Sequence, residues 1–97
     1  MKDAMKLQTE MLKKQEEIKK VEVGGEAAGG MVKVTMTCGF EVKLITIGEE
    51  IWKENDKDML ADLIAAAFNN ALRKAQDVMA EEMSKLTGGL GIQLPNM

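Results

Sequence analysis

The run from Asp56 to Leu86 constrains this chain more than any other stretch. Leu60, Ile64, Ala67, Ala71, Ala75 and Val78 recur at helical spacing, with Leu63, Phe68, Met79 and Leu86 beside them. That is the apolar stripe of one long amphipathic helix. A helix over 56–86 is about 46 Å long at 1.5 Å per residue. Strands of ordinary length reach about 20 Å and cannot cover it. Part of the stripe must therefore meet another helix, a second subunit, or both. Ala65, Ala66, Ala67 and Ala71 leave room for another backbone to come close.

The rest of the chain supplies the partners. From about 3 to 20, Ala4, Leu7, Met11 and Ile18, continued by Val21, follow near-heptad spacing, with Met1, Met5 and Leu12 widening the stripe on one flank. Glu10–Lys14 and Glu16–Lys20 are i,i+4 pairs in the favourable order. The helix is expected to end as Val21 and Val23 lead into Gly24-Gly25. Strands then occupy about 21–47: a short one at Val21–Val23, a turn over Gly25–Gly30, and a half-buried strand in which Val32, Val34, Met36 and Cys38 alternate with Lys33, Thr35 and Thr37. Cys38-Gly39 stands at a hairpin turn, with Gly39 expected to supply a positive φ. In Glu41–Ile47 the alternation slips between Val42/Leu44 and Ile45/Ile47. Either a bulge is present or both faces are covered, and the second option fits a sheet that meets a helix and a partner chain. A short helix over about 49–54 follows, and Asn55 or Asp56 can cap the long helix. Residues 87–97 are Gly-rich, lack periodicity and are expected to form a flexible tail. The fold class is α+β, a single domain over 1–86.

Composition excludes more than it assigns. The 97 residues contain no His and no Tyr, so the commonest general base and metal ligand are missing, and Cys38 has no His to activate it. No Walker-type phosphate loop occurs. Glu49, Glu50, Glu54, Asp56 and Asp58 are clustered acids, but acids near helix starts serve capping and the helix dipole. The expectation is a non-enzyme with no cofactor, no metal and no small-molecule substrate. A single cysteine rules out an internal disulfide, and no apolar run is long enough to span a bilayer. The chain reads as cytoplasmic, with no membrane partner.

The net charge of -3 hides an asymmetry. Residues 1–20 hold six lysines against four acids, whereas residues 49–97 hold five basic groups against nine acidic ones. Lys2, Lys6, Lys13 and Lys20 fall within about 40° of one another around a helix, opposite the apolar stripe. Such a row, about 27 Å long, matches a phosphate backbone. On the residues alone a plain solvated face accounts for it better, since most charged helix faces are simply solvated. Arg73, Lys74 and Lys85 lie on the polar side of the long helix as secondary candidates, although Asp77, Glu81 and Glu82 are close by and local pairing is the expected use of Arg73 and Lys74. Asn69-Asn70 is unfavourable within a helix, and one Asn is expected to hydrogen-bond across a packed interface.

The Lys/Gln/Glu/Met-rich first helix, Gly29-Gly30-Met31-Val32-Lys33-Val34, Gly39 at the next turn, and Met59-Leu60-Ala61-Asp62-Leu63-Ile64-Ala65-Ala66-Ala67 leading into Asn69-Asn70-Ala71 resemble the YbaB/EbfC family of nucleoid-associated DNA-binding proteins. The likeness runs through nearly the whole chain. It departs at Thr37-Cys38-Gly39, where Asn-Gly is common. These motifs are structural, and the residue chemistry alone would not have named DNA. The resemblance implies a tweezer-like homodimer whose central sheets join the two chains and whose helices project as arms. It implies binding to double-stranded DNA in the cytoplasmic nucleoid with little sequence preference. The lysine row, seconded by Arg73, Lys74 and Lys85, then becomes the expected DNA surface. The expected dimer surface is Val32, Val34, Met36, Val42, Leu44 and Ile45 of the sheet with Ile64, Ala67, Phe68 and Ala71 of the long helix. The competing class is a dimeric scaffold that grips another protein between the same arms, and charge reversal in the lysine row separates the two.

Overall fold

The computed structural model describes the backbone of residues 2–89 and the side chains of residues 4–86. Helix α1 (Lys2–Lys19) leads into strands β1 (Glu22–Ala27), β2 (Val32–Thr37) and β3 (Val42–Ile47), then a short helix α2 (Glu49–Lys53) and the long α3 (Lys57–Gly89). The strands form one antiparallel sheet in the order β1-β2-β3. The α+β architecture expected from the alternating and helical patterns is the one observed.

The core lies between one face of the sheet and α3. Val32, Val34 and Met36, alternate residues of β2, are sealed against Ala67, Ala71 and Ala75, spaced four apart on α3. Burying each of the three larger side chains contributes about 1.5–3 kcal/mol. The small alanines bring the helix close to the sheet, and closest at Gly25 of β1. A Cβ built there collides with the backbone nitrogen of Ala71 and the carbonyl oxygen of Ala67. Gly24-Gly25 thus lies within a strand, instead of ending one as the sequence suggests. Asn70 fastens the same edge by donating from Nδ2 to the Glu26 carbonyl at 2.9 Å, the cross-element bond expected of the Asn pair. Asp56, the nearer of the two expected caps, accepts from the Met59 amide at 3.0 Å.

Two local features differ from the sequence expectation, and a third decides between its two options. In the β2–β3 hairpin the positive φ belongs to Phe40 (67°), while Gly39 is needed for space. A Cβ on Gly39 would stand 3.3 Å from the Lys19 carbonyl oxygen. The hairpin tip in fact caps α1: the Gly39 amide donates to the Lys19 carbonyl at 3.0 Å and the Cys38 amide to the Val21 carbonyl at 2.8 Å. In β3 the slip in alternation is a bulge, the first of the two options. Thr35 pairs with Leu44 but Met36 with Val42, so Lys43 is the extra residue, and Val42, Ile45 and Ile47 share the face that carries the core. The favourable i,i+4 pairs of α1 are replaced by a single exposed contact, Lys19 to Glu16 at 3.5 Å, among the described residues.

The molecule measures 62 × 27 × 16 Å, elongated because α3 overhangs the sheet. Helix α1 makes its main contact with α3. Ile18 is buried as part of the core cluster, against which Val78, Met79, Met83 and Leu86 of α3 also pack. Towards its other end the stripe of α1 lies open, with Leu7 and Leu12 50% and 57% exposed.

Candidate nucleic-acid interface

The charged face of α1 is set by helical geometry and by the anchoring of Ile18, which turns the lysines away from α3. Lys6 and Lys13 are exposed on α1, and Lys20 is exposed one residue beyond its end. Lys2 belongs to the helix, but its side chain lies outside the described residues. Among the described residues, Lys6, Lys13 and Lys20 have no salt bridge, in contrast to Lys19, Lys43 and Lys85. A lysine without a local carboxylate can give its whole charge to a phosphate. The row is not purely basic, because Glu16 and Glu17 border the shallow depression that Lys13 and Lys20 share.

The secondary candidates separate. Lys85 sits between Glu81 (3.8 Å) and Glu82 (3.4 Å), so carboxylates of its own helix share its charge. Arg73 and Lys74 are exposed and, contrary to expectation, form no ion pair among the described residues. They do not form one site, being about 100° apart around α3. Lys74 instead borders, with Lys33 of the central strand, a depression that Gly24, Glu26 and Thr35 also line. Sequence reasoning missed Lys33, since only the pairing of β1 with β2 brings it to that depression. It also missed the cluster at the hairpin tip, where Lys19, Lys20 and Lys43 meet Glu22 and Glu41. Lys43 is 3.1 Å from Glu41 there.

The expected dimer surface divides as well. Val32, Val34, Met36, Ala67 and Ala71 are sealed inside the chain's own core and present nothing to a second chain. Alternation identified the buried face correctly, but that face belongs to α3 of the same chain. Ile64 and Phe68 are half-buried against this core. Val42, Leu44 and Ile45 remain exposed, by 37%, 59% and 44%, on an outer strand with no neighbour beyond it among the described residues. Cys38 is buried beneath the hairpin. Its burial, and then the nearby Glu82 carboxylate, push the thiol pKa up, away from the reactive thiolate.

No helix among the described residues is long and apolar enough to cross a membrane. The fold matches the crystal structure of an uncharacterized protein from Helicobacter pylori with a TM-score of 0.66, at 18% sequence identity, over 90% of this chain and 87% of that one. At that identity the likeness speaks for the fold alone. The sequence itself matches the YbaB/EbfC DNA-binding family over residues 1–90, which takes in every element from α1 to α3. A match through every element of the fold makes this chain a member of the YbaB/EbfC DNA-binding family.

Proposed function

We propose that the protein is a nucleoid-associated homodimer that binds duplex DNA mainly through phosphate contacts, with little base readout. The observation that carries this is the row Lys6, Lys13 and Lys20, without ion pairs among the described residues, on a helix whose far half is free of the core. Point charges on flexible stems suit phosphate oxygens and carry no code for base edges. If four to eight phosphates are neutralised per dimer, log K for random-sequence duplex falls with log salt at a slope of about -4 to -7. A slope near zero in a salt-titrated binding assay would sink the proposal.

The β3 edge supports the second copy. An outer strand exposing Val42, Leu44 and Ile45 is guarded against pairing only by Lys43 and the bulge that it forms, both towards the start of the strand. Joining two such edges continues the sheet and covers these side chains. Leu44→Lys with Ile45→Lys is expected to shift sedimentation from dimer to monomer at micromolar protein. An unchanged sedimentation coefficient would remove β3 as the seam.

The scaffold reading has one observation of its own, the exposure of Met5, Leu7 and Leu12 on α1. Binding of a protein through these residues would survive reversal of the lysine row and be lost on replacing Leu7 and Leu12 with polar residues. DNA binding responds the other way.

A further inference from the structure

Phe40 stands out from the rest of the surface. Its backbone is left-handed, with φ at 67°, and its side chain is 52% exposed at the tip of the β2–β3 hairpin. A bulky residue in that region is strained, and hairpins of this kind ordinarily place Gly there. Glycine is available one position earlier, but Gly39 is committed to its close approach to Lys19. The strained position is firmly held. The Phe40 amide donates to the Thr37 carbonyl at 2.9 Å, the Thr37 amide to the Glu41 carbonyl at 2.8 Å, and the Glu41 amide to Thr37 Oγ1 at 3.2 Å. The tip is tied in turn to the end of α1 through Cys38 and Gly39. The result is an apolar ring on a rigid support, projecting where folding of the protomer gains little from it.

We propose, on the basis of the DNA-binding reading above, that Phe40 is a wedge that enters a base step of bound duplex and kinks it. Apolar side chains on stiff hairpins or helices act this way when cations beside them hold the flanking phosphates. Lys20 borders the tip without a carboxylate partner among the described residues, and it is also the last member of the α1 row. Lys19 and Lys43 border it too, engaged only in exposed contacts with Glu16 and Glu41 that a phosphate can replace. The wedge therefore stands at the end of the phosphate-binding row, where a strand followed along α1 reaches the hairpin.

The test uses the full chain and a duplex of about 30 base pairs, short against the persistence length, carrying end-to-end energy-transfer dyes and internal 2-aminopurine. Wild-type protein is expected to shorten the end-to-end distance and raise 2-aminopurine emission as a step unstacks. Phe40→Gly removes the ring and relieves the backbone, so its melting temperature equals or exceeds that of wild type. It is expected to bind about tenfold more weakly, the net of the stacking lost from the dimer's two rings and the unstacking cost no longer incurred, with the salt slope unchanged and the bend abolished. Phe40→Leu, still apolar and bulky, restores the bend. A Phe40→Gly protein that bends DNA like wild type overturns the wedge and leaves DNA binding standing. A variant that sediments as a monomer also overturns it, by making the ring a contact between subunits. Failure of the wild type to bind duplex at low salt removes the reading on which the wedge rests.

Discussion

Lys6→Glu combined with Lys13→Glu is expected to lower affinity for random-sequence duplex DNA by about a thousandfold at roughly 0.1 M salt, and to flatten the salt slope by about 3 to 4. The size follows from symmetry: two lysines per chain become four phosphate contacts in a dimer, each carrying about 0.9 of a log unit per decade of salt. Neither lysine has an ion pair to lose within the described fold, and both are exposed, so the melting temperature should stay within a few degrees of wild type. Affinity and stability thus separate in one variant. Equal loss of both would mean that the charges support the fold. Loss of neither would make the row ordinary solvated surface. The same reversal at Lys85 is expected to do far less to binding, since Glu81 and Glu82 already share that charge.

The second large effect falls on stability. Gly25→Ala drives a methyl group into the backbone of α3, where Ala71 and Ala67 leave no space and no flexible side chain can yield. Strand and helix must part, loosening the alanine contacts around them. We expect a loss of about 3 kcal/mol, a large share of the stability of any small domain. In a thermal melt this amounts to roughly 12–24 °C. Gly24→Ala is the matched control, because its new Cβ meets nothing nearer than the Val34 carbonyl oxygen at 3.9 Å. Reduced freedom of the unfolded chain makes that change neutral or stabilising by up to about 1 kcal/mol. Melting temperatures that fall together in the two variants would refute the close approach at Gly25.

These two glycines also mark the limit of what the sequence discloses. The four-residue spacing of Ala67, Ala71 and Ala75 and the alternation of Val32, Val34 and Met36 carry the helix, the strand and the buried face of each, because both periodicities are local. Gly24-Gly25 looks like a break on the same local evidence. It becomes a strand through a contact with residues more than forty positions away, which no window reveals. Phe40 misleads for a related reason: a turn beside a glycine is normally credited to the glycine, and only the packing of Lys19 assigns Gly39 another task. At the candidate site, helical spacing alone assembled Lys6, Lys13 and Lys20. The meeting of Lys33 with Lys74 needed the sheet topology. Local pairing was expected at Arg73 and Lys74 and is found at Lys85, whose spacing of four and three residues from Glu81 and Glu82 allows both contacts. Half of the expected dimer surface was misassigned because patterning shows that a face is buried without showing whose chain buries it.

The capping of α1 by the hairpin tip has a mechanical meaning. The helix is a cantilever, clamped at Lys19 and Val21 by backbone hydrogen bonds from Gly39 and Cys38 and steadied at Ile18, with its opposite end beyond the core. A load on the lysines of the free end acts as a bending moment at the clamp. The clamp is the turn that leaves β2 and leads to β3, so a load on the arm enters the sheet at the hairpin end of β2 and through the chain that runs from α1 into β1.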